Sequence, residues 1–492
     1  MVQQTGTRFE NTVFEGHLKM KDYITAPRTV SLKEIKQSGF GLSAALYREF
    51  NPKNKNLRRV RDFMARALDN TADLGYEVGS DAYVDKSPYL FMRTRAMQSA
   101  SYIPDFSASS STEHIVPQAF IQMNLRKGDL LIAKDGEVGE IVILDKDYPN
   151  MMVSSAIYKL PVGEHPLYLL AFCKSDVFRE QIDFMIPKGS TLRHGKTKFL
   201  DCKIPMPKLN PDDTIKYVEL LTQAIIDKEI AIRNRHAHAL AYIEAELLNC
   251  QADRAYTYSM PDIHEIMDVG RMDTNRYCKA YKDFRHLIEN YKNGYSTYEM
   301  LGYKAKRGQN LQITAIGESI YSDTCHDGFY TLILSKNLSA EGRILEHLYL
   351  GNNNELNVLN KGEIVFSVRG NLGRSFVVLD SSDQYITNID SIIFYGNANV
   401  QKSCFIHMML DLYRKKDFIK KIGIYGSGAE SLTMYQLLDI PFPNFPAEAE
   451  KRVAQFIIQI QSIARQISIY ILLPYMTAVL TRRRASTIWI RR

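Results

Sequence analysis

The chain contains one sequence element twice, and this duplication constrains its fold more than any other feature. Residues 127–139 are KGDLLIAKDGEVG and residues 361–373 are KGEIVFSVRGNLG, so the numbering offset between the copies is 361 − 127 = 234. Each copy ends on a similar tetrapeptide, IPMP at 204–207 and IPFP at 440–443, followed by a proline, acidic residues and a long apolar-patterned segment. A duplicated unit of this length predicts two similar domains, each followed by a helix.

Length and composition are those of a globular protein with more than one domain. The chain has 492 residues, and single domains typically span 50–250 residues. A hydrophobic content of 45% and a charged content of 24% exclude a disordered or collagen-like chain. The net charge of +7 permits a polyanionic partner without requiring one.

The cysteines and the hydrophobic segments indicate a cytoplasmic protein. The six cysteines are scattered, with no C-x-x-C pair and no Cys/His cluster at zinc spacing, which predicts reduced thiols and no metal site. The N-terminus lacks the pattern of a signal peptide. The uncharged run 466–481 is shorter than the roughly 20 residues that span a bilayer, and Pro474 interrupts it. We therefore expect a packed helix there and no membrane segment.

Each copy opens with a predicted strand, turn and strand. In the first copy the strands are 129–134 and 140–144, and in the second they are 363–368 and 374–379. The G-x-x-G between them joins two strands and begins no helix, so it indicates a turn and not a phosphate site. The glycines that align in these turns predict positive φ angles: Gly136 with Gly370, and Gly139 with Gly373.

The later parts of the copies resemble each other, whereas the earlier parts diverge. Periodicity predicts amphipathic helices at 168–182 and 405–419, and Gly/Ser loops follow at 188–191 and 425–428. The upstream segments 58–126 and 298–360 differ in sequence and contain strand-like runs at 89–92 and 329–334.

Two long helices follow the two copies. Asn210-Pro211 with acids in the first turn begins a helix that continues to about Leu248, on the order of 55 Å. The second begins at Pro446, and its apolar positions alternate steps of four and three, as in a coiled coil. We predict that the two helices pair as an antiparallel coiled-coil spacer, the alternative being that each packs on its own domain. The packing positions are Val218, Leu221, Ile225, Ile232, Leu240 and Leu247 in the first helix, and Val453, Ile457, Ile460, Ile467 and Ile471 in the second.

These features together resemble the DNA-specificity subunits of type I restriction–modification systems. The resemblance is carried by the KG-strand element, the D/R-G-x-x-G turn, the late Gly/Ser loop, the I-P-x-P tetrapeptide before a long helix, and the duplication of the whole set. Residues 271–277 (RMDTNRY) are similar to the start of that family's second half. Residues 1–50 show no clear second copy of this phrase, and the basic tail after Pro474 departs from the family pattern.

The resemblance implies an α+β fold with two mixed α/β target-recognition domains, each recognising one half of a bipartite, asymmetric site in double-stranded DNA. The spacer helices would set the unread gap and dock two methyltransferase (modification) subunits that hold S-adenosylmethionine, and a restriction/translocase subunit using ATP and Mg can join. This chain would hold no cofactor itself and would serve host defence. The implied boundaries are 1–210 for the first recognition domain, 211–250 for the first spacer helix, 251–445 for the second recognition domain, and 446–492 for the second spacer helix and basic tail.

The sequence lacks the motifs of the chemistry that such a complex performs. Neither Asn51-Pro52 nor Asn210-Pro211 begins the Asn/Asp-Pro-Pro-Tyr/Phe motif of an adenine methyltransferase, and no Walker loop is present. We therefore expect a non-catalytic subunit. Two alternatives remain open: a protein-binding adaptor that does not recognise DNA sequence, and a self-sufficient modification enzyme, which the missing motifs disfavour.

The candidate DNA contacts are polar side chains near the turns and loops of each copy. Arg, Asn and Gln can recognise base edges, whereas Lys mostly binds phosphates, and for any one residue the simplest alternative is a solvated surface charge. The dense cluster at 188–198 is predicted to contact phosphate. The first copy offers Arg93, Arg95, Lys134, Lys188, Arg193, His194, Lys196 and Lys198, and the second offers Lys304, Lys306, Arg307, Gln309, Asn310, Arg369, Asn371 and Arg374.

Overall fold

A computed structural model shows a mixed α/β fold, as predicted, with several small sheets and flanking helices. It describes residues 23–469 except 38–41, 43, 108–109, 187–193, 324 and 426–429. The described chain divides into two compact units. The first comprises 23–231 and 466–469, and the second comprises 232–465.

The first unit is built on two small sheets. One has the order β4-β6-β5-β9, with β5 and β9 parallel, and the other has the order β10-β7-β8. Two short antiparallel pairs, β1 with β2 and β3 with β11, complete the strands. The strands are β1 (Ile24–Thr25), β2 (Glu49–Phe50), β3 (Leu57–Arg59), β4 (Tyr83–Val84), β5 (Leu90–Met92), β6 (Thr112–Ile115), β7 (Leu130–Ala133), β8 (Ile141–Ile143), β9 (Met151–Val153), β10 (Ile157–Leu160) and β11 (Lys203–Pro205).

The helix predicted over 168–182 is two helices. Ser175 adopts an extended conformation (φ −84°, ψ 154°) and its hydroxyl donates to the carbonyl of Phe172, which separates them. Tyr168 and Phe172 join the main core of this unit, together with Val218 from the first long helix. The helices of this unit are α1 (Leu32–Gln37), α2 (Pro166–Cys173), α3 (Asp176–Met185) and α4 (Pro211–Asn249), the last continuing into the second unit.

The second unit repeats the topology of the first. One sheet has the order β14-β16-β15-β19, with β15 and β19 parallel, and the other has the order β13-β20-β17-β18. The strands are β12 (Tyr295–Ser296), β13 (Lys304–Arg307), β14 (Ser319–Ser322), β15 (Tyr330–Ile333), β16 (Leu348–Asn352), β17 (Ile364–Ser367), β18 (Ser375–Val377), β19 (Tyr385–Thr387), β20 (Ser391–Tyr395), β21 (Ile424–Tyr425), β22 (Glu430–Ser431) and β23 (Phe442–Pro443).

The predicted helix 405–419 begins earlier and is interrupted. It starts at Val400, where Asn399 caps the first turn, and the chain turns at Asp417, which has a positive φ of 55°. The helices that begin in this unit are α5 (Ile263–Val269), α6 (Lys279–Glu289), α7 (Ile313–Ile316), α8 (Val400–Lys415), α9 (Phe418–Ile422) and α10 (Ala447–Ile469), the last continuing into the first unit.

The predicted strand–turn–strand elements form in both units. Strands β7 and β8 pair antiparallel, as do β17 and β18. The four aligned turn glycines all have positive φ, which confirms the turn interpretation: 72° at Gly136, 88° at Gly139, 76° at Gly370 and 84° at Gly373.

The structural repeat also includes the segments whose sequences diverge. The N–H of Tyr76 donates to the carbonyl of Val153, and the N–H of Gln309 donates to that of Thr387, which keeps the numbering offset of the sequence repeat to within one position. The glycine before each donor has no room for a side chain. A Cβ would lie 2.2 Å from the carbonyl oxygen of Ser154 at Gly75, and 2.2 Å from that of Asn388 at Gly308. The front halves therefore share this part of their backbone arrangement although their sequences differ.

Residues 31–37 and 44–47 have structural counterparts in the second unit, although their sequence shows no clear copy of the RMDTNRY phrase. Helix α1 begins with a reciprocal cap, in which Glu34 N–H donates to Ser31 Oγ and Ser31 N–H donates to Glu34 Oε2. Helix α5 begins in a similar way, with Asp262 accepting from the N–H of Glu265 at 2.8 Å. A short 3₁₀ turn follows each helix, at Ala44–Tyr47 and Thr274–Arg276. The sequences differ too much for this match to be visible without coordinates.

The first long helix is continuous over 39 residues, on the order of 55–60 Å. The predicted packing positions within the described chain are buried, except for Ile467, which is partly buried; Ile471 lies outside the described residues. Residues Val218, Leu221 and Ile225 pack in the core of the first unit, as the simpler alternative predicted for that half of the helix. None of the helices within the described ranges is long and apolar enough to cross a bilayer.

The other half of α4 contacts α10 within the second unit. Arg235 Nε donates to Gln459 Oε1 at 3.2 Å, and the Arg452 guanidinium lies 4.6 Å from the centre of the Tyr242 ring. Moving seven residues forward along α4 therefore moves seven residues back along α10, which makes this contact antiparallel with a heptad step. Pairing along the whole spacer stays a prediction.

Candidate nucleic-acid interface

Three chain segments meet at the G-x-x-G turn of the first unit. His194 Nδ1 lies 2.9 Å from Asp135 Oδ1, and the N–H of Gly195 donates to the carbonyl of Lys134 at 2.7 Å. On the other side, a Cβ at Gly136 would lie 3.7 Å from the hydroxyl of Thr94. We call this set, residues 93–96, 134–137 and 194–198, the first turn junction. It brings together predicted residues that are far apart in sequence.

In the first turn junction, the two arginine side chains are more exposed to solvent than the lysine side chain at the turn. Arg95 is exposed, and the Arg93 side chain is 43% exposed, with a long contact to Glu113 at 3.5 Å. Lys134 is only 19% exposed and its ammonium lies 2.6 Å from Asp135. The charge of Lys134 is therefore largely compensated within the protein.

The late loop of the first unit contributes exposed polar side chains to the same junction. His194 is 65% exposed, and Lys196 is exposed in a left-handed conformation with φ of 48°. Lys198 is also exposed and donates to the carbonyl of Met185 at 3.0 Å. The predicted contacts Lys188 and Arg193 lie outside the described residues.

The second unit builds an equivalent junction from the same three kinds of segment. The Asn371 side-chain amide donates to the carbonyl of Ser335 at 3.2 Å, which joins the turn to a 3₁₀ turn. The N–H of Leu432 donates to the carbonyl of Val368 at 3.1 Å, which joins the turn to the late segment. We call residues 335–337, 368–371 and 431–433 the second turn junction.

Two arginines lie close together beside the second turn junction. Arg369 is 60% exposed, and its Nη1 lies 4.0 Å from Asp390 Oδ1. Arg307, at the end of β13, donates from Nη1 to the carbonyl of Ile389 at 3.3 Å. Partial burial and the positive charge of Arg369 lower the pKa of Arg307, whereas Asp390 opposes that shift.

The remaining predicted contacts of the second copy fall into two groups. Lys304 and Lys306 are exposed on β13, and the Lys306 ammonium lies 4.7 Å from the centre of the Tyr395 ring. Asn310 is exposed and Gln309 is partly buried, its side chain accepting from Asn357 at 2.8 Å. These groups can meet a partner on the surface.

The predicted DNA contact at Arg374 is contradicted by its burial. Arg374 is 7% exposed, and its guanidinium donates to the carbonyl of Leu338. It follows the turn and precedes strand β18, whose residues are all buried. A buried guanidinium that donates to a backbone carbonyl holds that loop in place and is not available to DNA.

Sequence reasoning missed Lys336, which occupies the place of Arg95 in the second unit. Each is the exposed middle residue of the 3₁₀ turn that packs against the glycine turn: Thr94–Ala96 in one unit and Ser335–Asn337 in the other. The numbering offset to the glycine differs, 136 − 95 = 41 against 370 − 336 = 34, so a constant-offset alignment does not match them.

The RMDTNRY phrase holds the second unit together. Arg271 forms an ion pair with Asp273 at 2.6 Å and donates to the carbonyl of Gly423 at 2.9 Å. Arg276 is buried, pairs with Asp439 at 2.8 Å, and lies 4.8 Å from the centre of the Tyr281 ring. The phrase therefore links the start of this unit to its end.

A serine–histidine pair in the second unit is buried in the protein core and is not accessible to a substrate. Ser375 Oγ lies 2.7 Å from His407 Nδ1, and both residues are fully buried. Burial lowers the pKa of His407 to about 4, with Asp411 opposing the shift. Across the portion of the chain that the structure describes, no group of three or more His, Cys, Asp or Glu side chains is placed to hold a metal ion.

Comparison of the chain with known structures finds similarity to specificity subunits of type I restriction–modification systems. The S subunit from M. genitalium has a TM-score of 0.39 and 12% identity, over 86% of this chain and 94% of that one. The HsdS subunit from Thermoanaerobacter tengcongensis has a TM-score of 0.26 and 12% identity, over 88% and 97%. A chain from a type I R-M system, solved to describe complex assembly and conformational transition, has a TM-score of 0.28 and 12% identity, over 88% and 99%. No protein-family model and no curated protein sequence matches the chain.

Proposed function

We propose that the chain is the DNA-specificity subunit of a type I restriction–modification complex and that it recognises a bipartite, asymmetric site. The observation that carries this proposal is the turn junction. Each unit forms one, from three corresponding segments of its own chain. Its exposed side chains differ between the copies: Arg95 and Lys196 in the first, and Lys336 and Arg369 in the second. One frame with two sets of contact residues suits two different half-sites, because different base edges require different side chains.

A protein that recognises a bipartite site also needs a fixed distance between its two recognition domains, and the long helices would provide it. Helix α4 has 39 residues, so it is on the order of 55–60 Å long, whereas one turn of DNA rises about 34 Å. A helix of this length spans between one and two turns of DNA. The spacer would thus determine the number of base pairs that neither domain contacts.

The chemistry of modification belongs, in this proposal, to partner subunits. Two methyltransferase subunits would dock on the spacer helices and hold the S-adenosylmethionine for adenine-N6 methylation. A restriction/translocase subunit that uses ATP and Mg would join them for cleavage. This chain would contribute sequence recognition and no catalytic group.

Methylome sequencing of the host, with and without the gene, tests the proposal directly. We expect deletion to abolish methylation at one motif made of two unlike half-sites separated by a gap of constant length. Retention of every methylated motif after deletion would exclude the specificity role. If the chain is instead a protein-binding adaptor, all methylated motifs should be retained after deletion. The reconstituted complex should then shift the electrophoretic mobility of DNA independently of its sequence, or not at all.

Paired insertions in the two helices test the spacer. Seven residues would be added after Ala237 of α4 and seven after Ile457 of α10, so that the heptad step between them is kept. We expect the gap in the methylated motif to lengthen by about three base pairs while both half-sites stay the same. Changed half-sites with an unchanged gap would refute the spacer role.

A further inference from the structure

The cluster of Arg307, Arg369 and Asp390 has no counterpart in the first unit, although the backbone around it does. The N–H of Val368 donates to the carbonyl of Asp390 at 3.0 Å, and the N–H of Lys134 donates to that of Ala156 at 2.8 Å. Donors and acceptors both keep the numbering offset of the sequence repeat. This register places Ala156 where the second unit has Asp390, and Asp135 where it has Arg369.

At the next matching backbone hydrogen bond, the first unit has an apolar residue where the second unit has Arg307. The N–H of Gly75 donates to the carbonyl of Ile157 at 3.0 Å, and that of Gly308 donates to the carbonyl of Ser391 at 3.0 Å. The residues before these glycines are Leu74 and Arg307. The first unit therefore forms this backbone without either arginine, so the fold does not require the pair.

The pair carries two positive charges, and Asp390 offsets one of them. Two guanidiniums lie beside one carboxylate, Asp390, which is itself 39% exposed and 4.0 Å from Arg369. Asp390 also accepts from the Asn388 amide at 2.8 Å. Partial burial, and after it the positive charge of Arg369, lower the pKa of Arg307, whereas Asp390 opposes that shift. A phosphate group, which accepts hydrogen bonds from several guanidinium donors at once, matches this arrangement.

We propose that Arg307 and Arg369 together bind one backbone phosphate of the DNA half-site that the second unit recognises. The inference rests on the proposed function and adds an asymmetry to it. The first unit, with Leu74 and Asp135 at the matching positions, makes no such contact. The two half-sites are then bound through different contacts to the DNA backbone.

The test measures DNA binding by the full chain reconstituted with its modification subunits, on a duplex that carries the methylated motif. The variants are Arg307→Ala, Arg369→Ala and the charge-retaining Arg369→Lys. The control is Lys279→Ala, which removes a lysine of α6 that is 67% exposed and paired with Asp283. Because both classes of alanine variant lose one positive charge, the comparison separates a local contact from a change in net charge.

We expect each alanine variant of the pair to reduce the slope of log Kd against log salt concentration by about one, and Arg369→Lys to retain most of the wild-type slope. The Lys279→Ala control should keep the wild-type slope. Ethylation of one particular phosphate in the half-site of the second unit should inhibit the wild-type complex, and Arg369→Ala should lose the inhibition at that phosphate. Replacing the opposing carboxylate, Asp390→Asn, should tighten binding at low salt.

Two results would overturn the phosphate assignment while leaving the proposed function intact. One is a salt slope in Arg307→Ala and Arg369→Ala equal to that of the wild type and the control. The other is an altered preference for one base pair with no change in slope, which would make Arg369 a base contact. If the wild-type complex does not bind the duplex in a sequence-dependent way, the proposed function fails as well.

Discussion

Glu229, on the first long helix, accepts hydrogen bonds from the hydroxyl of Ser101 and from the N–H of Tyr102, each at 3.0 Å. The glutamate is 1% exposed. It is the acceptor of the Tyr102 N–H, whereas the Ser101 hydroxyl also lies 2.9 Å from the carbonyl oxygen of Ile103. The contact therefore attaches helix α4 to the loop that follows residues 93–96 of the first turn junction.

Replacing this carboxylate should destabilise the first unit. We expect Glu229→Ala to lower the free energy of unfolding by about 3 kcal/mol, because it leaves the Tyr102 N–H buried without its acceptor. Urea unfolding followed by circular dichroism measures the change. Asp227→Ala, which removes an exposed acid from the same helix, is the control and should change stability by less than about 0.5 kcal/mol. Equal losses in the two variants would refute a specific role for Glu229.

The glycine at 308 should tolerate no side chain. A Cβ there would lie 2.2 Å from the carbonyl oxygen of Asn388, so Gly308→Ala must push two backbone segments apart. We expect a loss of more than about 2 kcal/mol in the second unit. Gly270→Ala, with no atom within 4 Å of the new Cβ but a φ of 67°, reports the cost of backbone conformation alone. The melting temperatures of the two variants measure this difference. A lower melting temperature for Gly270→Ala than for Gly308→Ala would contradict the steric explanation.

Burial of His407 should make the stability of the second unit depend on pH. The pKa of the imidazole is about 4 in the folded protein, against 6.5 for an ordinary exposed histidine, so the folded state favours the neutral form. Above pH 6.5 the imidazole is neutral in both the folded and the unfolded state, and the free energy of unfolding is at its full value. As the pH falls toward 4, only the unfolded state takes up the proton, which lowers the free energy of unfolding by roughly 3 kcal/mol. His407→Gln should flatten the unfolding free energy over this interval, whereas the exposed His264→Gln should not. A steep fall that persists in His407→Gln would assign it to another group.

Lys196 should bind phosphate in the first half-site. It is exposed beside His194 in the first turn junction, and none of the carboxylates within the described ranges pairs with its ammonium. We expect Lys196→Ala to weaken DNA binding by the reconstituted complex for all sequences alike and to lower the salt slope by about one. Lys203→Ala, an exposed lysine on β11, is the control. A change in the recognised sequence at constant slope would make Lys196 a base contact.

Much of the scaffold was predictable because its signals are local. The G-x-x-G turns require positive φ, and the proline-and-acid start of α4 is a local helix signal, so both could be placed from sequence. The interruptions at Ser175 and Asp417 could not, because amphipathic periodicity continues across them. Similarly, Ser31 and Asp262 cap equivalent helices with different side chains, and only coordinates reveal that equivalence.

The candidate interface was less predictable, because exposure depends on contacts between segments distant in sequence. Arg369 and Arg374 belong to the same turn, yet one is 60% exposed and the other is 7% exposed. Lys134 is similarly compensated by Asp135, a neighbour whose orientation the sequence does not specify. Lys336 was missed because it lies closer in sequence to its glycine than Arg95 does to the equivalent glycine.

The nearly constant numbering offset between matching backbone hydrogen bonds gives every such position an internal reference within the same polypeptide. A glycine that the shared backbone arrangement requires occurs twice, as the glycines at 75 and 308 do. A side chain that only the target requires need occur once, as the arginines at 307 and 369 do. Mutating a residue together with its counterpart in the other copy thus separates structural demand from recognition without recourse to any second protein.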